Sequence, residues 1–508
     1  MRKQLCVLLL LAFATANLHA QGLLEGIANE LDQYPGRGVV WEMTYKNELP
    51  PNWIIPTTDK VDGAVLARAV GQMVSRAQRT VDITVLTPMP HGVFLEELKK
   101  GLATLASSGR AVTVRILAGN PNFVTPENTR AFLAELAPTV HGSNVTIFVA
   151  GMTTCNPPAC AGAVGVVSSF NHAKIVAVDG QEAIVGGHNM WSDYTGHGPI
   201  YDLSMQVKGP AARAAANFTT GLWKFTCSTN RHGVPLWLTY SSAKLPGHPP
   251  IQDVCSFFEP QPLAEGTGKL PILAMGRYGA GTMNLGELQP QWQWSDIAMQ
   301  RVLESAQSTM RISQQDLMTT TGAVNEPIVG AIVALLARPN PGHAYLIVTN
   351  FAARGRSLLS PYSWFVHPKA LGIAIKQRVA RRMRLPEDHP DVRNRVCNNL
   401  HLGGLARFDP NGQPTQTWPD ARPMGNHAKF YMVDDRVFYI GSHNMYPITA
   451  TSVEPREWWR VLQGSLQEYC YIIDDAGAAK QLMEQYWTPI WEPTRMLAVS
   501  GGLPSCQL

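Results

Sequence analysis

Two segments of the chain follow one pattern. Asn171 to Asn189 reads NHAKIVAVDGQEAIVGGHN, and Asn426 to Asn444 reads NHAKFYMVDDRVFYIGSHN. Both fit His-x-Lys-x4-Asp-x6-Gly-[Gly/Ser]-x-Asn. The first copy supplies His172, Lys174, Asp179, Gly186, Gly187 and Asn189. The second supplies His427, Lys429, Asp434, Gly441, Ser442 and Asn444. Six restricted positions at identical spacing in one chain exclude coincidence. Burial alone rarely demands a His, a Lys and an Asn together, so the repeat reads as chemistry rather than a duplicated structural hairpin.

That chemistry is oxyanion binding with proton transfer. Two ammonium groups and two amide donors hold phosphoryl oxygens without a metal or other cofactor. Two imidazoles divide the remaining work: one, neutral, attacks phosphorus, and the other, protonated, gives its proton to a leaving alcohol. An ordinary His titrates near ~6.5, so both forms are reachable around neutrality.

The elements around the motifs must deliver this set. HAKIVAV is strand-like, and alternate side chains of a strand share a face. His172 and Lys174 therefore project together, as do His427 and Lys429. Asp179 falls on the other face or in the Asp179-Gly180 turn, and it and Asp434 read as structural. Glycine at the end of each second strand, at Gly187 in the first copy and before Ser442 in the second, allows close approach of backbone to a ligand.

Farther out, helix and strand patterns alternate. Helical periodicity covers 61–79, 93–107, 126–137, 294–307 and 326–337. Thr80 to Leu86, Ala111 to Ala118, Asn144 to Ala150, Met310 to Leu317 and Tyr345 to Thr349 read as strands. The alternation occurs in both halves and predicts an α/β architecture, with mixed sheets flanked by helices. The expected organisation is 21–227 for the first half, 228–290 as a Pro- and Gly-rich connector, and 291–508 for the second. The two halves must meet face to face for both motifs to serve one site, in a pseudo-twofold arrangement.

Among 508 residues, 45% are apolar, and Lys plus Arg number 42 against 38 Asp plus Glu. That excludes bulk disorder and gives no reason to expect a nucleic-acid partner. Arg2 and Lys3 precede the apolar run Leu5 to Ala14, followed by small residues. This is the pattern of a secretory signal over 1–20, cleaved after Ala16 or Ala20, and the run is too short to span a bilayer. The mature chain is expected to be secreted, to the medium or the periplasm, without a transmembrane segment, and monomeric.

Export permits disulfides. Cys6 leaves with the signal, and seven cysteines remain. Cys155 and Cys160 bracket a four-residue clip, and Cys227 and Cys255 are spaced to close a loop after a helix. None has the spacing of a zinc site. Residues 369–384 form a basic amphipathic helix, read as a solvated outer face.

The duplicated residues resemble the signature of the phospholipase D superfamily. NHAKIVAVDGQEAIVGGHNMWSDY, VKGPAARAAANFTTGLWKFTC, MRISQQDL, FYIGSHNMYP and LQEYCYII resemble the secreted actinomycete-type enzymes, from about Val40 to the C-terminus. The resemblance implies two α/β domains around one metal-independent site. It also implies a phosphohistidine intermediate, hydrolysis of phosphatidylcholine-like lipids at a membrane or vesicle surface, and phosphatidyl transfer to other alcohols.

By position, His172 resembles the nucleophile and His427 the general acid. Lys174, Lys429, Asn189 and Asn444 resemble the phosphate ligands. Asp202 resembles the carboxylate orienting the first His and Glu468 that orienting the second, although Glu468 replaces the Asp expected there and 448–465 looks like an insertion. Cys227 and Cys255 match a family disulfide. Cys397 matches a family cysteine whose usual partner is absent, leaving it free or paired with Cys470 or Cys506. A choline headgroup is a quaternary cation attracted by aromatic faces, which nominates Trp191, Tyr194 and Tyr446, and Tyr362 in the loop where the family has a substrate-facing loop. Two other readings of the repeat are a phosphodiesterase acting on nucleic acid and a silent lipid-binding protein.

Overall fold

The computed structural model describes residues 22–119, 126–152, 171–227, 237–242, 266–278, 294–319, 322–349, 366–445, 466–501 and 506–508. The elements run α1 (Leu23–Leu31), β1 (Trp41–Asn47), β2 (Ile54–Thr57), α2 (Ala64–Arg76), β3 (Thr80–Leu86), α3 (Val93–Ser107), β4 (Val112–Gly119), α4 (Pro126–Val140), β5 (Val145–Met152), β6 (Ile175–Val178), β7 (Glu182–Gly186), β8 (Asp202–Lys208), α5 (Pro210–Cys227) and β9 (Trp237–Ser242). They continue with β10 (Leu270–Arg277), α6 (Trp294–Ser305), β11 (Thr309–Ser313), α7 (Glu326–Leu336), β12 (His343–Val348), α8 (Pro368–Met383), α9 (Pro390–Asn399), β13 (Leu400–Gly404), the short hairpin β14 (Arg407–Phe408) and β15 (Pro414–Thr415), β16 (Phe430–Val433), β17 (Val437–Gly441), β18 (Glu468–Asp474), α10 (Ala476–Leu482) and α11 (Thr488–Met496).

Two eight-stranded mixed sheets result. The first has the order β2-β8-β7-β6-β3-β4-β5-β9 and the second β1-β10-β18-β17-β16-β11-β12-β13. Their common part is superimposable in topology. A parallel trio (β3-β4-β5, or β11-β12-β13) abuts a hairpin (β6-β7, or β16-β17), and a further antiparallel strand follows (β8, or β18). The fold is α/β, as the alternation implied, with two similar mixed sheets flanked by helices.

Each element follows from its local pattern. The TVDITVL strand is buried along its middle because both faces of a central strand are covered, which suits a β-branched run. In α2 the buried Leu66, Ala67, Val70, Met73 and Val74 form one helical stripe. Asn325 caps α7, accepting the Ile328 backbone N–H at 3.2 Å, with Pro327 in the first turn. Helix α5 is inserted between the sheets and contacts β6, β7 and β8 of the first and β1 and β10 of the second. One apolar cluster consequently runs through both halves, and a second lies within the first.

The domain bounds differ from those expected. Residues 23–47 do not belong to the first half: β1 pairs with β10 at the edge of the second sheet. The stretch 228–290, read as connector, holds β9 of the first sheet and β10 of the second. Long-range pairing of this kind leaves no local periodicity to read. The strand expected over Met310 to Leu317 stops at Ser313, where Gln314, Gln315 and Asp316 turn into buried polar surroundings. Among the described residues, no helix is long and apolar enough to cross a membrane.

Candidate active site at the interface between the halves

The two motifs meet where β7 and β8 face β17 and β18. His172 sits just before β6, and His427 precedes β16 by the same interval. Each histidine is tied to the opposite half by its backbone. The His172 N–H donates to the Gln467 carbonyl at 2.8 Å, and the His427 N–H to the Tyr201 carbonyl at 2.7 Å. The residues that follow those carbonyls are Glu468 and Asp202.

The carboxylates are exchanged relative to expectation. His172 Nδ1 lies 3.0 Å from both Glu468 oxygens, and His427 Nδ1 lies 2.7 Å from Asp202 Oδ2. Asp202 was expected to serve the first His and Glu468 the second. The resemblance suggested that pairing; the crossed backbone bridges reverse it. Each imidazole thus has Nδ1 engaged by a carboxylate of the other half.

Lys174 Nζ donates to the His172 carbonyl at 2.6 Å, and Lys429 Nζ to the His427 carbonyl. Both ammonium groups are thereby folded back over their own histidines. All four basic side chains and both carboxylates are buried. Asn189 is buried, and its Oδ1 has no hydrogen-bond partner among the described residues; Asn444 is also buried.

Burial and mutual charge set the protonation states. Burial pushes His172 down to about 4; Glu468 opposes this, while Lys174 and Lys429 reinforce it. Burial and the two lysines hold His427 well below its ordinary value. Burial lowers Lys174 well below the usual lysine range, and it brings Lys429 to about 8 despite Asp202 and Glu468. The carboxylates diverge. Burial raises Asp202 to about 7, against the pull of Lys429. Burial also acts to raise Glu468, but the His172 charge and hydrogen bond, with His443 and Lys174, bring it down to about 2.

The motif aspartates lie elsewhere. Asp179 accepts the backbone N–H groups of Gln78, Arg79 and Thr80 at 2.7 to 2.9 Å. Asp434 accepts those of Gln307, Ser308 and Thr309 over the same range. Each carboxylate fastens a hairpin turn to the loop entering β3 or β11. Both residues have positive φ, 53° and 50°, a conformation that Asp tolerates. Gly187 touches Asp202: a Cβ there would collide with Oδ1.

The aromatic expectations fare differently. Tyr194 is fully buried, with its hydroxyl 2.9 Å from His427 Nδ1. The hydroxyl shares His427 Nδ1 with Asp202. Trp191 lies in the first-half core and donates its indole N–H to the Pro88 carbonyl at 2.9 Å. Tyr362 and Tyr446 lie outside the described residues, as do Cys155, Cys160, Cys255 and the side chain of Cys227. Cys397 is bonded to Cys506, and Cys470 is free and buried.

Sequence reading missed the asparagines that open each motif. Asn426 Nδ2 donates to the Gln314 carbonyl at 3.0 Å and lies 3.1 Å from Ser313 Oγ, and its Oδ1 accepts the Ala428 N–H. Asn171 Oδ1 accepts the Ala173 N–H in the same way. Both asparagines are part of the repeated NHAK string, which was the available signal. His188 and His443 are also structural. His188 bridges Thr57 and Ser204, both contacts at 2.8 Å, and His443 bridges Tyr439 and Ser295 at 2.8 and 2.9 Å.

No protein-family model matches the chain. Its sequence is similar to phospholipase D of Streptomyces antibioticus, at 28% identity over a 542-residue alignment that covers 95% of this chain and 90% of that protein. Among solved structures, phosphatidylserine synthase of Haemophilus influenzae Rd KW20 aligns at a TM-score of 0.49 and 12% identity, covering 91% of this chain and 89% of that one. A polyphosphate kinase of Porphyromonas gingivalis aligns at 0.38 and 12%, covering 85% and 49%. The chain thus carries two complete motif copies and is similar to that phospholipase D along nearly its whole length.

Proposed function

We propose that the protein is an exported phospholipase D. In this reading it hydrolyses the distal phosphodiester of phosphatidylcholine-like lipids to phosphatidic acid and the free headgroup alcohol, and it transfers the phosphatidyl group to other alcohols. The observation that carries the reading is the reciprocal clamp, in which each motif histidine has its Nδ1 on a buried carboxylate of the opposite half. Export rests on the signal-like residues 1–20.

In this reading Lys174, Lys429, Asn189 and Asn444 hold the phosphoryl oxygens. The phosphate charge arriving between them favours protonation of the imidazoles, which the lysines otherwise oppose. His172 enters neutral, with Nδ1–H toward Glu468 and Nε2 as the attacking atom. Its Nε2 forms a bond to phosphorus as the bond from phosphorus to the headgroup oxygen breaks. The His427 imidazolium gives its Nε2 proton to that oxygen, and the alcohol departs. Water, or an alcohol, then attacks phosphorus while His427 takes its proton. The P–N bond breaks and its electrons return to His172.

Glu468 suits the nucleophile because an ionised carboxylate stabilises the positive charge that His172 acquires in the covalent intermediate. The Asp202–His427 pair holds a proton up to near neutrality, which suits an acid. The reading needs neither metal nor cofactor, and monomers suffice because one chain supplies both motifs. Turnover of phosphatidylcholine by the purified protein, with chelator present and with His172→Ala and His427→Ala as controls, tests it. Cleavage of DNA without action on phospholipid would instead favour a nuclease.

A further inference from the structure

The two carboxylate seats are built alike in backbone and differently in side chains. Gly187 N–H donates to the Leu203 carbonyl at 2.9 Å, and Ser442 N–H donates to the Tyr469 carbonyl at 3.0 Å. In the first seat the Leu203 backbone N–H reaches Asp202 Oδ1 directly, at 2.8 Å. In the second, the corresponding Tyr469 N–H donates to Ser442 Oγ at 3.0 Å, and Ser442 Oγ–H donates to Glu468 Oε2 at 2.5 Å. The serine hydroxyl passes the backbone hydrogen bond one atom farther, to a carboxylate that stands one methylene farther out. The first seat has no room for such a relay, since any Cβ on Gly187 would strike Asp202.

We infer that Ser442 and Glu468 form one positioning unit, in which the hydroxyl holds the longer carboxylate against His172 as glycine and aspartate do for His427. This rests on the phospholipase D reading for its kinetic readout and deepens it. A lone Glu-for-Asp exchange at this position would misplace the carboxylate, and a lone Ser would crowd an Asp. The pair is therefore interchangeable only together. Buried groups in one hydrogen-bond network are the case in which substitutions fail to add.

The test uses the full-length mature protein with Ser442→Gly, Glu468→Asp and the double variant, which copies the first seat. On phosphatidylcholine, each single change is expected to lower kcat by about 10- to 100-fold, with KM within about 3-fold, because carboxylate misplacement is felt at the imidazole. The double variant is expected to recover to within about 10-fold of the parent. Ser442→Gly alone is also expected to move the acidic limb of kcat/KM to higher pH, because an anion that loses a donor binds protons more readily.

Losses that multiply in the double variant, or a Ser442→Gly enzyme with parental kcat and pH profile, would overturn the inference. Thermal unfolding of the same four proteins gives an independent arm. A double variant more stable than either single supports the unit, and additive losses of Tm refute it. If the parent turns over no phospholipid, the functional reading fails and the unfolding cycle still decides the coupling.

Discussion

His172 and Glu468 stand 296 positions apart in the chain, and their side chains meet with Nδ1 3.0 Å from each carboxylate oxygen. Neither half of the molecule contains a finished histidine. The first motif is completed by β18, and the second by Asp202 at the start of β8. In the proposed reaction, turnover therefore requires the interface and not only the fold of either half.

Removing the carboxylates should therefore act on kcat more than on KM. Glu468→Gln and Asp202→Asn are each expected to lower kcat by about 100-fold or more, since the imidazole loses both its orientation and its compensating charge. Steady-state kinetics on short-chain phosphatidylcholine would check this. Losses confined to KM would contradict it.

The same two carboxylates should pull the stability curve in opposite directions. Glu468 is held at about 2 against an ordinary 4.5, so its contribution is full above 4.5 and is lost as pH falls toward 2. His172, lowered from 6.5 to about 4, adds loss on acidification between those values, because the unfolded state binds its proton first. Asp202 is raised from 3.8 to about 7, so its contribution is present below 3.8 and is lost as pH rises through 7. Denaturant unfolding across pH 3 to 9 should show Glu468→Gln flattening the acid side and Asp202→Asn steepening the rise toward neutrality, because the fall that Asp202 contributes between 3.8 and about 7 is gone. A parallel offset of the whole curve in both variants would refute the assignment.

Lys429 should set a basic limit to turnover. Burial brings it to about 8, so the ammonium that holds phosphate is lost as pH rises through that value. Lys429→Arg, though slower through altered geometry, should lose this limb, because guanidinium stays charged. An unchanged basic limb in the variant would exclude Lys429 as its source.

The motif aspartates should separate stability from chemistry. Asp434→Ala removes three backbone hydrogen bonds at the turn before β11 and is expected to cost about 1–3 kcal/mol of stability. The kcat of the folded fraction should stay near parental. Chemical denaturation together with kinetics tests this, and a large kcat loss in a fully folded variant would place Asp434 in the reaction.

How far the sequence revealed this molecule depends on distance along the chain. The repeat of His, Lys and Asn, the strand that aligns His172 with Lys174, and the helix and strand alternation are all local, and periodicity exposes them. The crossing of Asp202 and Glu468 between halves is not local. It depends on the bridges from Gln467 and Tyr201, which have no sequence pattern of their own. The membership of β1 in the second sheet was hidden for the same reason. The contact of the Tyr194 hydroxyl with His427 Nδ1 also spans the two halves and leaves no local pattern. The partner of Cys397 was settled only by packing, which brings the C-terminus to α9 and leaves Cys470 alone in the core.

A covalent phosphatidyl–histidine would serve hydrolysis and transfer alike, so the partition of products reads it out. Mature protein would be incubated with phosphatidylcholine vesicles, chelator and ethanol. The account predicts phosphatidic acid together with phosphatidylethanol, and neither product from His172→Ala. Phosphatidic acid alone at every ethanol concentration, or undiminished product from His172→Ala, would contradict it.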